Sequence, residues 1–129
     1  MSQHHFFTLH HDKKTHILLG WDKPLQGFFL VIEKEDDIDN PFWSNLDIKD
    51  SHPKKLDTFI MILKNMNIKL PDTIEQEVIR DSINNVVNKI IIHSYKNNVY
   101  KRIADVDGVY ITNESIPALY DKYGVICQP

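Results

Sequence analysis

Polar and apolar positions alternate in short runs over the first third of the chain. Gln3–His11, Thr15–Trp21 and Gln26–Glu33 read as three strands of an antiparallel meander, the last rich in aromatic and β-branched residues. Asp12–Lys13–Lys14 separates the first two, and Lys23–Pro24–Leu25 turns the chain before the third, where proline removes a ladder donor. A two-residue turn at Lys13–Lys14 pairs His11 with His16, Leu9 with Leu18 and Phe7 with Gly20. Phe6, Thr8 and His10 then face Trp21, Leu19 and Ile17 on the other side. Both faces carry large apolar groups, so the meander is expected to be covered over most of its area.

Beyond Pro53 the period changes. Leu56, Phe59, Ile60 and Leu63 recur at i, i+3, i+4 and i+7, which predicts a helix with all four buried against the meander and Pro53 in its first turn. Ile68–Pro71 ends that helix. Asp72–Thr73–Ile74–Glu75 resembles a capping box opening a second, with Ile79, Ile83, Val86 and Val87 as its buried stripe. Asn84, Asn85 and Asn88 follow, residues that favour caps over helix interiors.

The β-branched stretch Lys89–Tyr95 predicts a strand, Asn97–Asn98 a hairpin turn, and Val99–Ala104 the returning strand. Asp107–Gly108 marks a further turn before a short strand at Val109–Thr112. Asn113 or Ser115 caps a last short helix through Tyr120, with Gly124 as its stop. Grouped strands and helices define an α+β class in one domain over residues 1–129. It comprises an N-terminal antiparallel meander, two central helices packed on it, and a C-terminal hairpin plus short helix.

Composition adds limits. An apolar fraction of 42% and a charged fraction of 26% are those of an ordinary globular chain, and no apolar run is long enough to span a bilayer. The single Cys127 and the absence of a signal-like opening lead to the expectation of a cytoplasmic protein. A net charge of −3 disfavours a general nucleic-acid binder.

Histidine carries most of the candidate chemistry. His4, His5, His10, His11 and His16 all fall in the first hairpin, and alternation sends His5, His11 and His16 to one face, His4 and His10 to the other. His11 and His16, directly opposed in this register, offer two nitrogens to a transition metal. No third ligand sits at a motif spacing, so no metal or other cofactor is expected, with His11 and His16 the alternative. His5, two pairs away or roughly 13 Å at ~3.3 Å per residue, is too distant to join them. His52 is read as a neighbour of the first helix, and His93 as a partly buried imidazole. The acids at 36–39 lack the glycine bend and distal Glu of an EF-hand. No nucleophile elbow or glycine-rich phosphate loop occurs, which leaves catalysis without support.

Two segments suggest binding. Phe42, Trp43 and Leu46 lie in a polar, proline-bounded stretch beside Glu35, Asp36 and Asp37, a pattern of large rings with an acidic rim that suits a protein partner. Lys89, Lys96, Lys101 and Arg102 interleave with Tyr95 and Tyr100, as on hairpins that stack single-stranded nucleic acid; Asp105 and Asp107 nearby weigh against it. The expected function is that of a small, non-catalytic accessory or regulatory protein that binds another protein. A nucleic-acid-associated protein and a His-dependent metalloprotein are the alternatives.

Overall fold

The computed structural model describes residues 1–37, 40–104 and 115–124. The predicted Asp107–Gly108 turn, the Val109–Thr112 strand, Asn113 and Cys127 lie outside these residues, as do Asp39, Asp105 and Asp107.

Six strands form one sheet. In chain order they are β1 (Ser2–His10), β2 (Lys13–Asp22), β3 (Gly27–Lys34), the two-residue β4 (Trp43–Ser44), β5 (Lys89–Lys96) and β6 (Val99–Ala104). Their order across the sheet is β4-β3-β2-β1-β5-β6. Every pairing is antiparallel except that of β1 with β5, which sets Ser2 beside Lys89 and His5 beside Ile92. The C-terminal hairpin thus extends the meander, and β1 lies inside the sheet.

Helix α1 (Asp57–Asn65) and helix α2 (Asp72–Ile83) cover one face, and helix α3 (Ile116–Tyr123) covers part of the other. The first face holds the main core, in which Phe6, Ile17, Leu19, Leu30 and Ile32 meet Phe59, Leu63, Ile74 and Val78. On the second face Phe7 and Ile92 pack against Leu119 and Tyr123. The predicted α+β class and layer order are those observed.

Several local expectations need correction. The first hairpin turns at His11–Asp12, both with positive φ (51° and 63°), and Lys13–Lys14 is already strand. His16 therefore lies opposite Phe7, and Leu9 opposite Lys14; His11 and His16 are not opposed. An aspartate tolerates the left-handed region better than lysine does, which places the turn two residues earlier. The shift preserves strand parity, so His5 and His16 still share one face and His4 and His10 the other.

In α1, Leu56, Phe59 and Leu63 are buried while Ile60 is only partly so, and Pro53 precedes the helix. The stripe of α2 is misphased in the sequence reading. Ile74, Val78 and Asp81 are buried, whereas Ile79 and Val87 are exposed and Ile83 is 77% exposed. Its N-cap is Pro71, with no side-chain capping bond from Asp72.

Both helices end on an asparagine in the left-handed conformation, Asn67 (φ 58°) and Asn85 (φ 50°). In each the next amide reaches back to the helix: Ile68 N–H to Leu63 O at 2.9 Å, Val86 N–H to Asp81 O at 3.0 Å. Asn97 and Asn98 make the β5–β6 turn as predicted, and Ser115 caps α3 through the Ala118 amide, with Gly124 (φ 77°) after its last turn. Among the described residues no helix is long and apolar enough to cross a membrane.

Candidate functional site

The sheet edge at β4 separates two neighbouring aromatic residues. Trp43 pairs with Ile32 and turns inward, its ring edge-on to Phe59 at 6.0 Å. Phe42, one residue earlier, donates its amide to Ile32 O at 2.8 Å and leaves its ring 50% exposed. The Lys34 ammonium lies 4.2 Å from the Phe42 centroid and the His10 ring 5.6 Å from it, so Phe42 is held in place although half in water. Ser44 then opens a 3₁₀ turn at Asn45–Asp47 with a reciprocal cap: Leu46 N–H donates to Ser44 Oγ (3.2 Å) and Ser44 N–H to Asp47 Oδ2 (3.1 Å). That turn presents Leu46 at 73% exposure.

The acids expected to rim this patch behave differently from one another. Asp36 is exposed and paired with Lys13, which holds its carboxyl below the usual range. Asp37 is exposed, and Glu35 is half-buried with its amide bonded to Lys14 O at 3.0 Å. A cleft of ≈ 270 Å³ lies between His11, Lys13, Lys34, Asp36, Asp37 and Phe42.

The basic and aromatic residues of the second hairpin do not form one face. Lys89 and Arg102 stand on the side covered by α2, where both bond Glu77 Oε1, at 2.9 and 2.6 Å. Lys96 and Lys101 are exposed on the opposite side, and Tyr95 and Tyr100 pack edge to face at 5.0 Å. Half of the positive charge is therefore already paired.

The densest chemistry is a buried relay between β1, β5, β6 and α2. The α2 stripe at 74, 77, 78 and 81 combines two aliphatic residues with two carboxylates, and the acids meet groups from the sheet. Asp81 Oδ2 accepts from His4 Nε2–H at 2.6 Å, and its Oδ1 from Lys89 at 2.7 Å. His4 Nδ1 lies 2.9 Å from His93 Nε2, and His93 Nδ1 lies 2.7 Å from the Tyr100 hydroxyl. The carboxylate end sets the direction: with His4 donating from Nε2, a neutral His4 accepts at Nδ1 from His93, which accepts at its own Nδ1 from Tyr100. His4 and His93 are both fully buried. Burial, then the neighbouring His4, pushes His93 down to about 3. Burial raises the Glu77 carboxyl, but hydrogen bonds from Arg102 and Lys89 outweigh it and bring it to about 2. His4, His93 and Glu77 each bring one nitrogen or carboxylate oxygen into a ligand-like group, all within 4.8 Å of one another.

A second histidine pair lies on the opposite face. His5 Nδ1 is 2.8 Å from His16 Nε2, His16 Nδ1 is 3.1 Å from Glu33 Oε1, and His5 Nε2 is 3.1 Å from Gln3 Oε1. His5 and His16 are diagonal neighbours across β1 and β2, within reach of two imidazoles. The 13 Å separation inferred from sequence falls with the register that produced it. Burial, then His16, lowers His5 well below the usual histidine range. His11 takes no part in this pair; it sits in the turn against His10, ring centroids 4.1 Å apart. The alternative His11–His16 pairing is therefore not formed.

Comparison with protein-family models, with curated proteins and with solved structures found no match, so no role is carried to this chain from a relative.

Proposed function

We propose that this chain acts by binding another protein, through the sheet edge that carries Phe42 and Leu46. The observation that supports this reading is the contrast between adjacent rings: Trp43 is anchored on Phe59, while Phe42 is held half exposed beside Leu46. A large ring fixed in place but left in water contributes contact area to a partner with little ordering cost. Asp37 lines one cleft with Phe42 and Asp47 lies in the turn that carries Leu46; both are exposed and suit a partner with a basic rim. In this reading the protein is a non-catalytic accessory or regulatory factor, and it works in the cytoplasm, where a lone cysteine needs no disulfide partner.

Affinity capture from cells of the source, run with wild type and with a Phe42→Ala, Leu46→Ser double variant, tests the proposal. Wild type is expected to retain one stoichiometric partner that the double variant loses, with melting temperatures within a few degrees of each other. A partner held equally by both, or none above background, overturns it. Trp43→Ala serves as the stability control: it should destabilise the fold, by about 2–3 kcal/mol, because its ring is already used in packing.

A further inference from the structure

We infer that His4, His93 and Glu77 form a binding site for one divalent first-row transition-metal ion. Three features of the geometry carry this. The ligand atoms of the three side chains converge within 4.8 Å, and both imidazoles are fully buried on rigid strands. Each ring has its outer nitrogen held by an oxygen: His4 Nε2 by Asp81 at 2.6 Å, His93 Nδ1 by Tyr100 at 2.7 Å. That arrangement orients ligating histidines in metal sites. Finally, Glu77 is anchored through one oxygen, Oε1, which both Lys89 and Arg102 bond.

Binding needs small, defined changes. Two nitrogens at ~2.0–2.1 Å from a tetrahedral ion lie about 3.4 Å apart, so the rings must separate by roughly half an ångström from their 2.9 Å contact. His93 stays neutral: its proton moves from Nε2 to Nδ1, the Tyr100 hydroxyl turns to accept it, and the freed Nε2 lone pair meets the ion. His4, donating from Nε2 to Asp81, turns Nδ1 to the ion. One carboxylate and two imidazoles suit zinc, cobalt, nickel or iron(II) better than calcium or magnesium. Glu77 and Asp81 are balanced by Lys89 and Arg102, so an incoming ion competes with a cation. Arg102, whose side chain is 44% exposed, is the one placed to swing into water and release Glu77.

The test uses untagged protein stripped with a chelator and titrated with Co²⁺ and Zn²⁺, with folding checked by circular dichroism. One ion per chain is expected, with Co²⁺ giving visible bands of a four- or five-coordinate nitrogen–oxygen site. His16→Gln should leave affinity unchanged, Glu77→Gln and His93→Gln should weaken it at least 10-fold, and Arg102→Gln should tighten it several-fold. Should His93→Gln fail to fold, X-ray absorption on zinc-loaded wild type decides: two imidazoles and a carboxylate in the coordination shell are expected. Absence of stoichiometric binding at 100-fold the protein's micromolar concentration, a shell without imidazole, or loss of binding in His16→Gln alone overturns the site. Partner capture by the double variant above is independent of metal, so failure of one proposal leaves the other standing.

Discussion

His4 and His5 are consecutive on β1, and each forms a histidine–histidine contact, yet the two contacts have different surroundings. His4 meets His93 under α2, fully buried, where Glu77 and Asp81 are balanced by Lys89 and Arg102. His5 meets His16 on the other face, where the charged partner among the described residues is Glu33, with its side chain 33% exposed. Glu33 stands at the edge of that face, and its carboxyl is held below the usual range by the hydrogen bond with His16. The covered pair has its own carboxylate in Asp81, but that group is shared with Lys89 and shut away from solvent beneath α2. What a pair of imidazoles can accept is therefore set by its neighbours, not by the contact itself.

The comparison can be broken most severely at Asp81. Asp81→Ala removes the acceptor of both His4 and Lys89 inside the helix-covered layer and should destabilise by about 3–5 kcal/mol. Chemical denaturation measures it, and a loss below 1 kcal/mol would show that water enters the layer freely.

Acidification gives the next effect, in metal-free protein. His93 sits near 3 when folded against an ordinary 6.5, so below pH 6.5 the unfolded chain takes up a proton that the folded chain refuses. Its contribution to stability is complete above pH 6.5 and is lost as pH falls towards 3; His5, lowered in the same direction, adds to that decline. Glu77, near 2 against 4.5, contributes fully above pH 4.5 and loses its share between 4.5 and 2. The melting temperature should fall in both windows, and His93→Gln should flatten the upper window while leaving the lower. An unchanged profile in that variant would place the titration elsewhere. The smallest effect is expected on the open face, where Glu33→Gln should cost no more than ~1 kcal/mol by the same denaturation.

How much of this was legible varies with the range of the interaction. The β5–β6 hairpin was readable because Asn97 and Asn98 both tolerate positive φ, and α1 because Leu56, Phe59 and Leu63 repeat at one face. The faces of the N-terminal histidines were readable even with a misplaced turn, because an even shift keeps parity. The relay was not. It depends on the parallel pairing of β1 with β5, which brings His4 and His93 together across 89 positions, and local periodicity is blind to such a pairing. It depends also on Asp81 and Glu77 occupying inward positions of α2. A reading that treats acids as solvent-facing moves the stripe to Ile79 and Ile83, which the structure leaves exposed. At the loop, two large rings in a polar stretch were visible in composition, but which ring turns inward is decided by the two-residue pairing of β4.

The interior position of β1 has a consequence for how the protein is made. During synthesis β1, β2 and β3 can zip together early, since each meets its successor in sequence. The far side of β1 must wait for Lys89–Lys96 to leave the ribosome, about 4–17 s later at ~5–20 residues per second. Through that interval the amides and carbonyls of residues 2–5 form an open edge with His4 and His5 flanking it, able to pair with any other nascent strand. Closure by β5 caps that edge and brings His93 to His4, so the strand that ends the exposure of β1 is also the one that joins the two buried imidazoles.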